Sequence, residues 1–149
     1  MNNPGPPHTG LRFPMYLPGP NRVMVVNEEP RAAVIAQLHT PRDRLTVANT
    51  HLSFVPGWNR RQLRRLIHDL RGFPGPRLLM GDLNMKPPTV RRWSGMRTLA
   101  LAATFPADTP NRQLDHILTD DDRLRSGATE AELMPISDHR PLVVDLERV

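Results

Sequence analysis

The stretch Ser137-Asp138-His139-Arg140-Pro141 places a carboxylate beside an imidazole, just before an apolar run near the end of the chain. Pro141 disfavours helical backbone at Arg140, so we expect a loop that enters a strand. Three more short polar clusters interrupt or end apolar, strand-like runs: Asn49-Thr50-His51-Leu52-Ser53, Gly81-Asp82-Leu83-Asn84 and Gln113-Leu114-Asp115-His116-Ile117. Because α/β enzymes place catalytic groups at strand ends, the four clusters together predict one active site.

Each cluster taken alone also has a purely structural interpretation. Asp82 and Asn84 are two residues apart and share a face at a strand end, but Gly-Asp-x-Asn turns are common. The pair Asp138-His139 also suits a surface turn. A lone histidine such as His51, on a mostly apolar strand, is more often a core or edge residue. Asp115 lies between apolar residues and needs a partner if buried, which the histidine of another cluster would supply.

The types of side chain in the clusters limit which metal ions could bind there. The chain has no cysteine, which excludes disulfides and thiolate metal sites but leaves the compartment open. An oxygen-rich set without thiolate favours Mg²⁺ or Mn²⁺ over zinc. We find no Ser–His–Asp order with a nucleophile elbow.

In this order the clusters resemble those of the endonuclease/exonuclease/phosphatase superfamily, the metal-dependent phosphoesterases related to DNase I. The resemblance covers roughly residues 22–147. It implies an α/β fold, the DNase I-like α/β/β/α sandwich. It also implies metal-dependent hydrolysis of a phosphate ester, with nucleic acid among the candidate substrates.

The resemblance assigns a role to each matching residue. A histidine in the position of His51 contacts the scissile phosphate, Asp82 positions or activates the attacking water, and Asn84 binds a phosphate oxygen. His139 acts as acid/base or phosphate contact, oriented by Asp115. The implied ligands of the Mg²⁺ or Mn²⁺ ion are Asp138 and Asp82.

Two family features have no counterpart in the sequence: an Asn on the first strand and a metal-binding Glu on a following one. Glu28 and Glu29 are the only acidic residues before Asp43, and they match a weaker family feature better than the metal ligand. The chain therefore resembles an N-terminally truncated domain, the C-terminal part of the family pattern. We expect it to be weakly active or inactive at ordinary Mg²⁺ concentrations.

A domain without its first strands exposes an apolar face or an open sheet edge. Such a surface predicts a partner chain that completes the sheet, or aggregation.

Composition is consistent with a globular domain that attracts anions. The chain has 149 residues and a formal net charge of +5, with Lys86 as its single lysine. A basic balance attracts phosphate esters, although a GC-rich genome explains an arginine excess equally well. No apolar run reaches the roughly 18 residues of a membrane span. No signal peptide pattern follows Met1, so we expect a cytoplasmic location.

The chain divides into a lead-in and a domain. Residues 1–21 are rich in proline and glycine, so we predict a flexible lead-in without regular structure. Residues 22–149 form the partial endonuclease/exonuclease/phosphatase domain. Apolar or β-branched runs predict strands at 23–26, 32–38, 45–52, 77–83, 98–105, 113–119 and 142–146. Residues 124–134 fit no single element.

One long helix is predicted at about 58–71, with Asn59 as N-cap. Four apolar residues at three- and four-residue spacing form a stripe that should face the sheet: Leu63, Leu66, Ile67 and Leu70. Pro87 and Pro88 open a short second helix, and we expect a mixed or mainly antiparallel sheet.

The alternative to an enzyme is a non-enzymatic remnant that binds anionic phosphate compounds or nucleic acid through its arginines. The helix face at residues 60–71 is the candidate surface. A solvated face is the simpler interpretation, and aromatic residues for stacking on single strands are few, at 5%.

Overall fold

The computed structural model of the chain describes residues 11–16, 23–39 and 44–149. They fall into two compact units, residues 1–31 and residues 32–149.

The first unit contains an antiparallel hairpin of two strands, β1 (Leu11–Tyr16) and β2 (Val23–Glu28). The prediction of no regular structure in residues 1–21 is wrong for β1. In a two-stranded hairpin both strands are edges, and an edge strand tolerates a proline such as Pro14. The remainder of the predicted lead-in lies outside the described residues.

A five-stranded mixed sheet forms the centre of the second unit. Its strands are β3 (Ala33–His39), β4 (Arg44–Thr50), β5 (Arg77–Asp82), β6 (Arg97–Thr98) and β7 (Asp115–Thr119). They lie in the order β3-β4-β5-β7-β6, where only the pair β4–β5 is parallel. The prediction of a mixed sheet is therefore confirmed.

Two helices follow the two parallel strands: α1 (Trp58–Leu70) follows β4, and α2 (Pro87–Ser94) follows β5. The whole predicted stripe of α1 is buried. It packs in one cluster with Ala48 of β4, Leu79 of β5 and Leu118 of β7. The prediction that this stripe faces the sheet is confirmed. The helix N-cap is Gly57 rather than the predicted Asn59, whose side chain donates to the carbonyl of Asn84 instead.

A second antiparallel ladder covers the opposite face of the sheet. It consists of β8 (Leu124–Ala131) and β9 (Leu142–Arg148), so residues 124–131, which matched no single sequence pattern, form a strand. Leu124, Leu142 and Val144 pack there with Leu78 and Ile117 of the central sheet. The second unit thus has a helical layer, a five-stranded sheet and a second layer of strands.

Two predicted strands end earlier than expected. Residues 98–105 do not form a strand beyond β6; Leu99 and Ala100 are buried in the cluster between the two sheets, so burial of a loop explains the apolar run. β4 ends at Thr50, so His51 follows the strand rather than lying on it. Within the described residues, neither helix has the length and apolar character of a membrane span.

Candidate active site

The site lies at one edge of the central sheet, where three strands begin or end. β4 and β5 are parallel, so their carboxyl ends meet at the same edge, with His51 just after β4 and Asp82 as the last residue of β5. β7 runs antiparallel to β5, and its first residue, Asp115, pairs directly with Asp82. Strand order and direction therefore bring residues from three distant segments together.

The Asp82 carboxylate is at the centre of the site. Its Oδ2 lies 3.4 Å from Nε2 of His51 and 3.9 Å from Nε2 of His139. The Asp82 side chain is only 14% exposed, whereas His51 is 59% exposed. A largely buried acceptor is therefore flanked by two imidazoles, and one of these imidazoles is open to solvent.

Asn84 holds the Asp82 carboxylate through hydrogen bonds. Its backbone N–H donates to Asp82 Oδ1 (2.8 Å), and its Nδ2 lies within hydrogen-bonding distance of Asp82 Oδ2 (3.3 Å) and the Leu52 carbonyl (3.0 Å). Asn84 has a φ of 50°, a left-handed conformation that asparagine tolerates better than most residues. In this arrangement the amide positions Asp82. The predicted phosphate contact requires it to release the Leu52 carbonyl or Asp82.

His139 is oriented by Asp115. Asp115 Oδ2 accepts a hydrogen bond from His139 Nδ1 at 2.7 Å, which leaves Nε2 directed toward Asp82. The ring of Phe105 lies beside the imidazole, with 4.8 Å between centroids and a tilt of 52°. A carboxylate that accepts from Nδ1 fixes the tautomer and the orientation of the ring.

A buried loop supports the Asp115–His139 pair. The sequence patterns did not single out this loop. Thr104 is fully buried, and its Oγ1 accepts from the backbone N–H groups of Leu114 and Asp115, both at 3.4 Å. Its carbonyl accepts from the N–H of Arg140 (2.8 Å). Thr104 thus ties the start of β7 to the loop that carries His139. Neither Thr104 nor Phe105 stands in a recognisable motif, so no sequence signal identified them.

Asp138 lies on the same loop but is exposed, and its backbone carbonyl accepts from the N–H of Ala107 at 2.8 Å. In the described part of the chain its carboxylate makes no hydrogen bond to the other site residues. The structure therefore brings together five of the predicted residues and leaves Asp138 at their margin: His51, Asp82, Asn84, Asp115 and His139. Glu29 is exposed, and the side chain of Glu28 lies outside the described residues.

Burial sets the electrostatics of the site. Desolvation raises the pKa of Asp82, and the charge of Asp115 adds to this; the Asn84 backbone N–H and the two imidazoles act in the opposite direction. A carboxylate with a raised pKa is a better base for a proton from water. Next to the site, burial lowers the pKa of His116, whose Nε2 donates to the Met85 carbonyl at 2.8 Å.

The donor types fit a hard divalent cation, although no group of three His, Cys, Asp or Glu side chains that could hold a metal occurs in residues 11–16, 23–39 and 44–149. Mg²⁺ is often held by one or two protein carboxylates, with water and substrate phosphate as the other ligands. Asp82 and Asp138 supply two carboxylates of this kind. The residue types therefore suit Mg²⁺, but within the described residues the Asp138 carboxylate makes no contact with Asp82, so the two are candidate ligands only.

Comparison with known proteins supports the same fold. The model of the Endonuclease/Exonuclease/phosphatase family matches residues 3–139. No curated protein matches the chain.

Three solved structures are similar to this chain in fold. D. rerio TDP2 complexed with single strand DNA product is 16% identical, with 78% of this chain and 62% of that chain covered and a TM-score of 0.61. A mannosyl-6-phosphatase from Bacteroides thetaiotaomicron is 17% identical, with coverages of 80% and 58% and a TM-score of 0.60. A beta toxin variant from Staphylococcus aureus with bound magnesium ions is 14% identical, with coverages of 78% and 58% and a TM-score of 0.58. The chain thus spans only about three fifths of the length of these proteins.

Proposed function

Because the chain belongs to the Endonuclease/Exonuclease/phosphatase family, we propose that it hydrolyses a phosphate ester at this site by attack of water on phosphorus. The observation that carries the proposal is the arrangement around Asp82. A partly buried carboxylate faces one exposed imidazole and a second imidazole that is held by its own carboxylate. This arrangement places a carboxylate that can accept a proton within 4 Å of two imidazoles that can hold one.

Each residue has a defined part in the proposed reaction. Asp82 orients the attacking water and accepts its proton as the new oxygen–phosphorus bond forms. His139, held by Asp115 and carrying a proton on Nε2, gives that proton to the leaving oxygen as the ester bond breaks. His51 is exposed and contacts a non-bridging phosphate oxygen. Together these groups supply general acid–base catalysis, which contributes about 10²–10⁴-fold.

The proposed cofactor is Mg²⁺, with Mn²⁺ as the alternative. Asp138 and Asp82 would hold it, and when bound it neutralises charge on the phosphate oxygens. The substrate is a phosphate mono- or diester.

The test is hydrolysis of two generic chromogenic substrates, p-nitrophenyl phosphate and bis(p-nitrophenyl) phosphate, with Mg²⁺ and with EDTA. We expect slow turnover that EDTA abolishes and that Asp82→Asn, His139→Asn and Asp138→Ala each reduce. Asp108→Asn is the matched control, because Asp108 is an exposed aspartate in the neighbouring loop. Turnover that survives both EDTA and Asp82→Asn would contradict the proposal.

A binding protein without catalysis is the second candidate. Exposed arginines on α1 favour it, and so does the absence of a three-residue metal group in the described part of the chain. Its signature would be phosphate-ester binding with no turnover at any Mg²⁺ concentration.

A further inference from the structure

One charged surface outside the cleft takes no part in the proposed reaction. Four exposed arginines of α1 and a half-buried tryptophan of α2 line a surface cavity of about 570 Å³ beside Gly57. We call this surface the arginine face; its residues are Arg60, Arg61, Arg64, Arg65 and Trp93.

The charges of the arginine face are electrostatically unfavourable in the isolated chain. Arg60 and Arg61 lie in the first turn of α1, which contains no acidic residue, although the helix dipole favours negative charge there. Each also has a like charge four residues later, and like charges at that spacing repel. Asp69 is the single acidic residue of α1, and it pairs with Arg65 at 2.9 Å. In the described part of the chain the other three arginines form no ion pair, so an anionic ligand would relieve the repulsion.

Aromatic contacts hold the guanidinium groups in place. Those of Arg60 and Arg64 lie 5.9 and 5.8 Å from the centroid of the Trp93 ring, and that of Arg61 lies 5.5 Å from the Trp58 ring. Cation–π contacts of this kind restrict long side chains before a ligand arrives. The arginine face is therefore a partly ordered set of charges rather than a random solvated one.

We propose that the arginine face binds a single strand of nucleic acid. Guanidinium groups bind phosphates in bidentate geometry, and their planes and aromatic rings both stack on unpaired bases. Arg60 and Arg64 are one helical turn apart, as are Arg61 and Arg65, which is about 6 Å along the axis. A nucleic-acid strand supplies both repeated charge and stacking rings, whereas an acidic peptide supplies mainly charge.

A membrane surface fits the arginine face less well. Helices that lie on membranes insert an apolar face into the lipid. The apolar stripe of α1 is already buried against the central sheet. The apolar surface of the arginine face is the half-buried Trp93 ring, which is much less than a membrane-inserting helix presents.

The arginine face adjoins the candidate active site. Asn59, one residue before Arg60, donates through Nδ2 to the carbonyl of Asn84 at 3.2 Å. Phe54 is 48% exposed in the segment that joins His51 to α1. The N-terminal turn of α1 is thus linked to the candidate active site by one hydrogen bond and by the segment that carries Phe54.

The test measures binding of a fluorescein-labelled oligothymidylate to the intact chain by anisotropy, with EDTA present so that the result does not depend on hydrolysis. We expect the triple variant Arg60→Gln, Arg61→Gln, Arg64→Gln to weaken binding at least tenfold. Between about 50 and 200 mM salt, the slope of log affinity against log salt should become shallower by about 2, because each phosphate neutralised on a single strand contributes about 0.7 to it.

The matched control removes the same charge elsewhere, with Arg44→Gln, Arg71→Gln and Arg125→Gln, and should change affinity less than twofold. Turnover of bis(p-nitrophenyl) phosphate, where it is measurable, should be equal in both triple variants, which separates this surface from the cleft. Equally weakened binding in both variants would overturn the proposal, as would no binding by the unmodified chain at low salt. Equal competition by a polyglutamate of matched charge, or by anionic lipid vesicles, would also overturn it.

Discussion

The Asp115 carboxylate decides which nitrogen of His139 carries the shared proton. The 2.7 Å contact to Nδ1 leaves Nε2 facing the cleft. Replacing Asp115 with asparagine keeps the size of the side chain but removes the carboxylate that accepts from Nδ1. In the proposed reaction, we expect Asp115→Asn to lower kcat by about 10²–10⁴ while KM changes little. Steady-state kinetics would check this, with thermal melting to show that the fold is kept. An unchanged kcat would contradict the role of the pair.

His116 predicts a pH dependence of stability. It is 1% exposed, and burial lowers its pKa, whereas in the unfolded chain it titrates near the ordinary value of 6.5. Below about pH 6.5 the unfolded chain therefore binds a proton on His116 that the folded chain resists. The free energy of unfolding consequently decreases as the pH is lowered, by at most about 1.4 kcal/mol per pH unit from this residue.

The measurement is urea unfolding of the parent chain and of His116→Gln at about pH 7.5 and about pH 5.5. The other histidines titrate in both proteins, so the difference between the two isolates His116. We expect the parent to lose more free energy of unfolding on acidification than the variant does. Equal decreases in the two proteins would show that His116 takes up a proton as readily in the folded chain as in the unfolded one.

The site residues that were predicted from the sequence share one property: they are polar groups at the ends of apolar runs. Strand geometry then placed His51, Asp82 and Asp115 at one sheet edge. Thr104 and Phe105 were missed because their role depends on a loop that packs across the molecule. Spacing along the chain contains no information about such contacts.

At the scale of elements, the packing of α1 against the sheet depends on its apolar stripe. Leu66 is 8% exposed within the cluster between the helices and the sheet. Leu66→Asp would bury an unpaired charge and remove apolar contacts, so we expect the free energy of unfolding to fall by at least about 3 kcal/mol. Arg64→Asp, on the exposed side of the same helix, should change stability by about 0.5 kcal/mol. Urea unfolding of both variants checks this, and a retained melting temperature for Leu66→Asp would refute the packing of α1.

Gly81 permits the close approach of β4 and β5 beside Asp82. Its φ is 125°, and an added Cβ would lie 2.0 Å from the Thr50 carbonyl oxygen. Gly57 also has a positive φ of 90°, but a Cβ there meets nothing within 4 Å. We therefore expect Gly57→Ala to cost about 1–3 kcal/mol from backbone strain alone. Gly81→Ala should cost clearly more, since the clash is with backbone. Comparable free energies of unfolding would argue against the close contact.

Elements were predictable where one period dominated the sequence. The helical stripe of α1 and the continuous apolar run of β5 both predicted the observed elements, because their burial is regular. β8 was not predictable, since most of its residues are exposed and no alternation appears. The run at 98–105 looked like a strand because Leu99 and Ala100 are buried, but burial in a loop leaves the same apolar signature.

At the scale of the whole molecule, β3 forms an edge of the central sheet. It pairs with β4 on one side, and its other side pairs with no described strand. Val34 is 70% exposed and Leu38 is 47% exposed. An apolar edge strand is a template for pairing with another chain.

We therefore predict that the chain associates through β3, most simply with a second copy. Sedimentation velocity over a wide concentration range should show a rising sedimentation coefficient. The double variant Val34→Lys, Leu38→Lys should suppress this rise, because charges on an edge strand oppose pairing. Leu133→Lys with Val143→Lys, two apolar residues that are also exposed but lie elsewhere, should leave it unchanged. If both pairs of substitutions suppress association equally, general solubility explains the effect and β3 is not the interface.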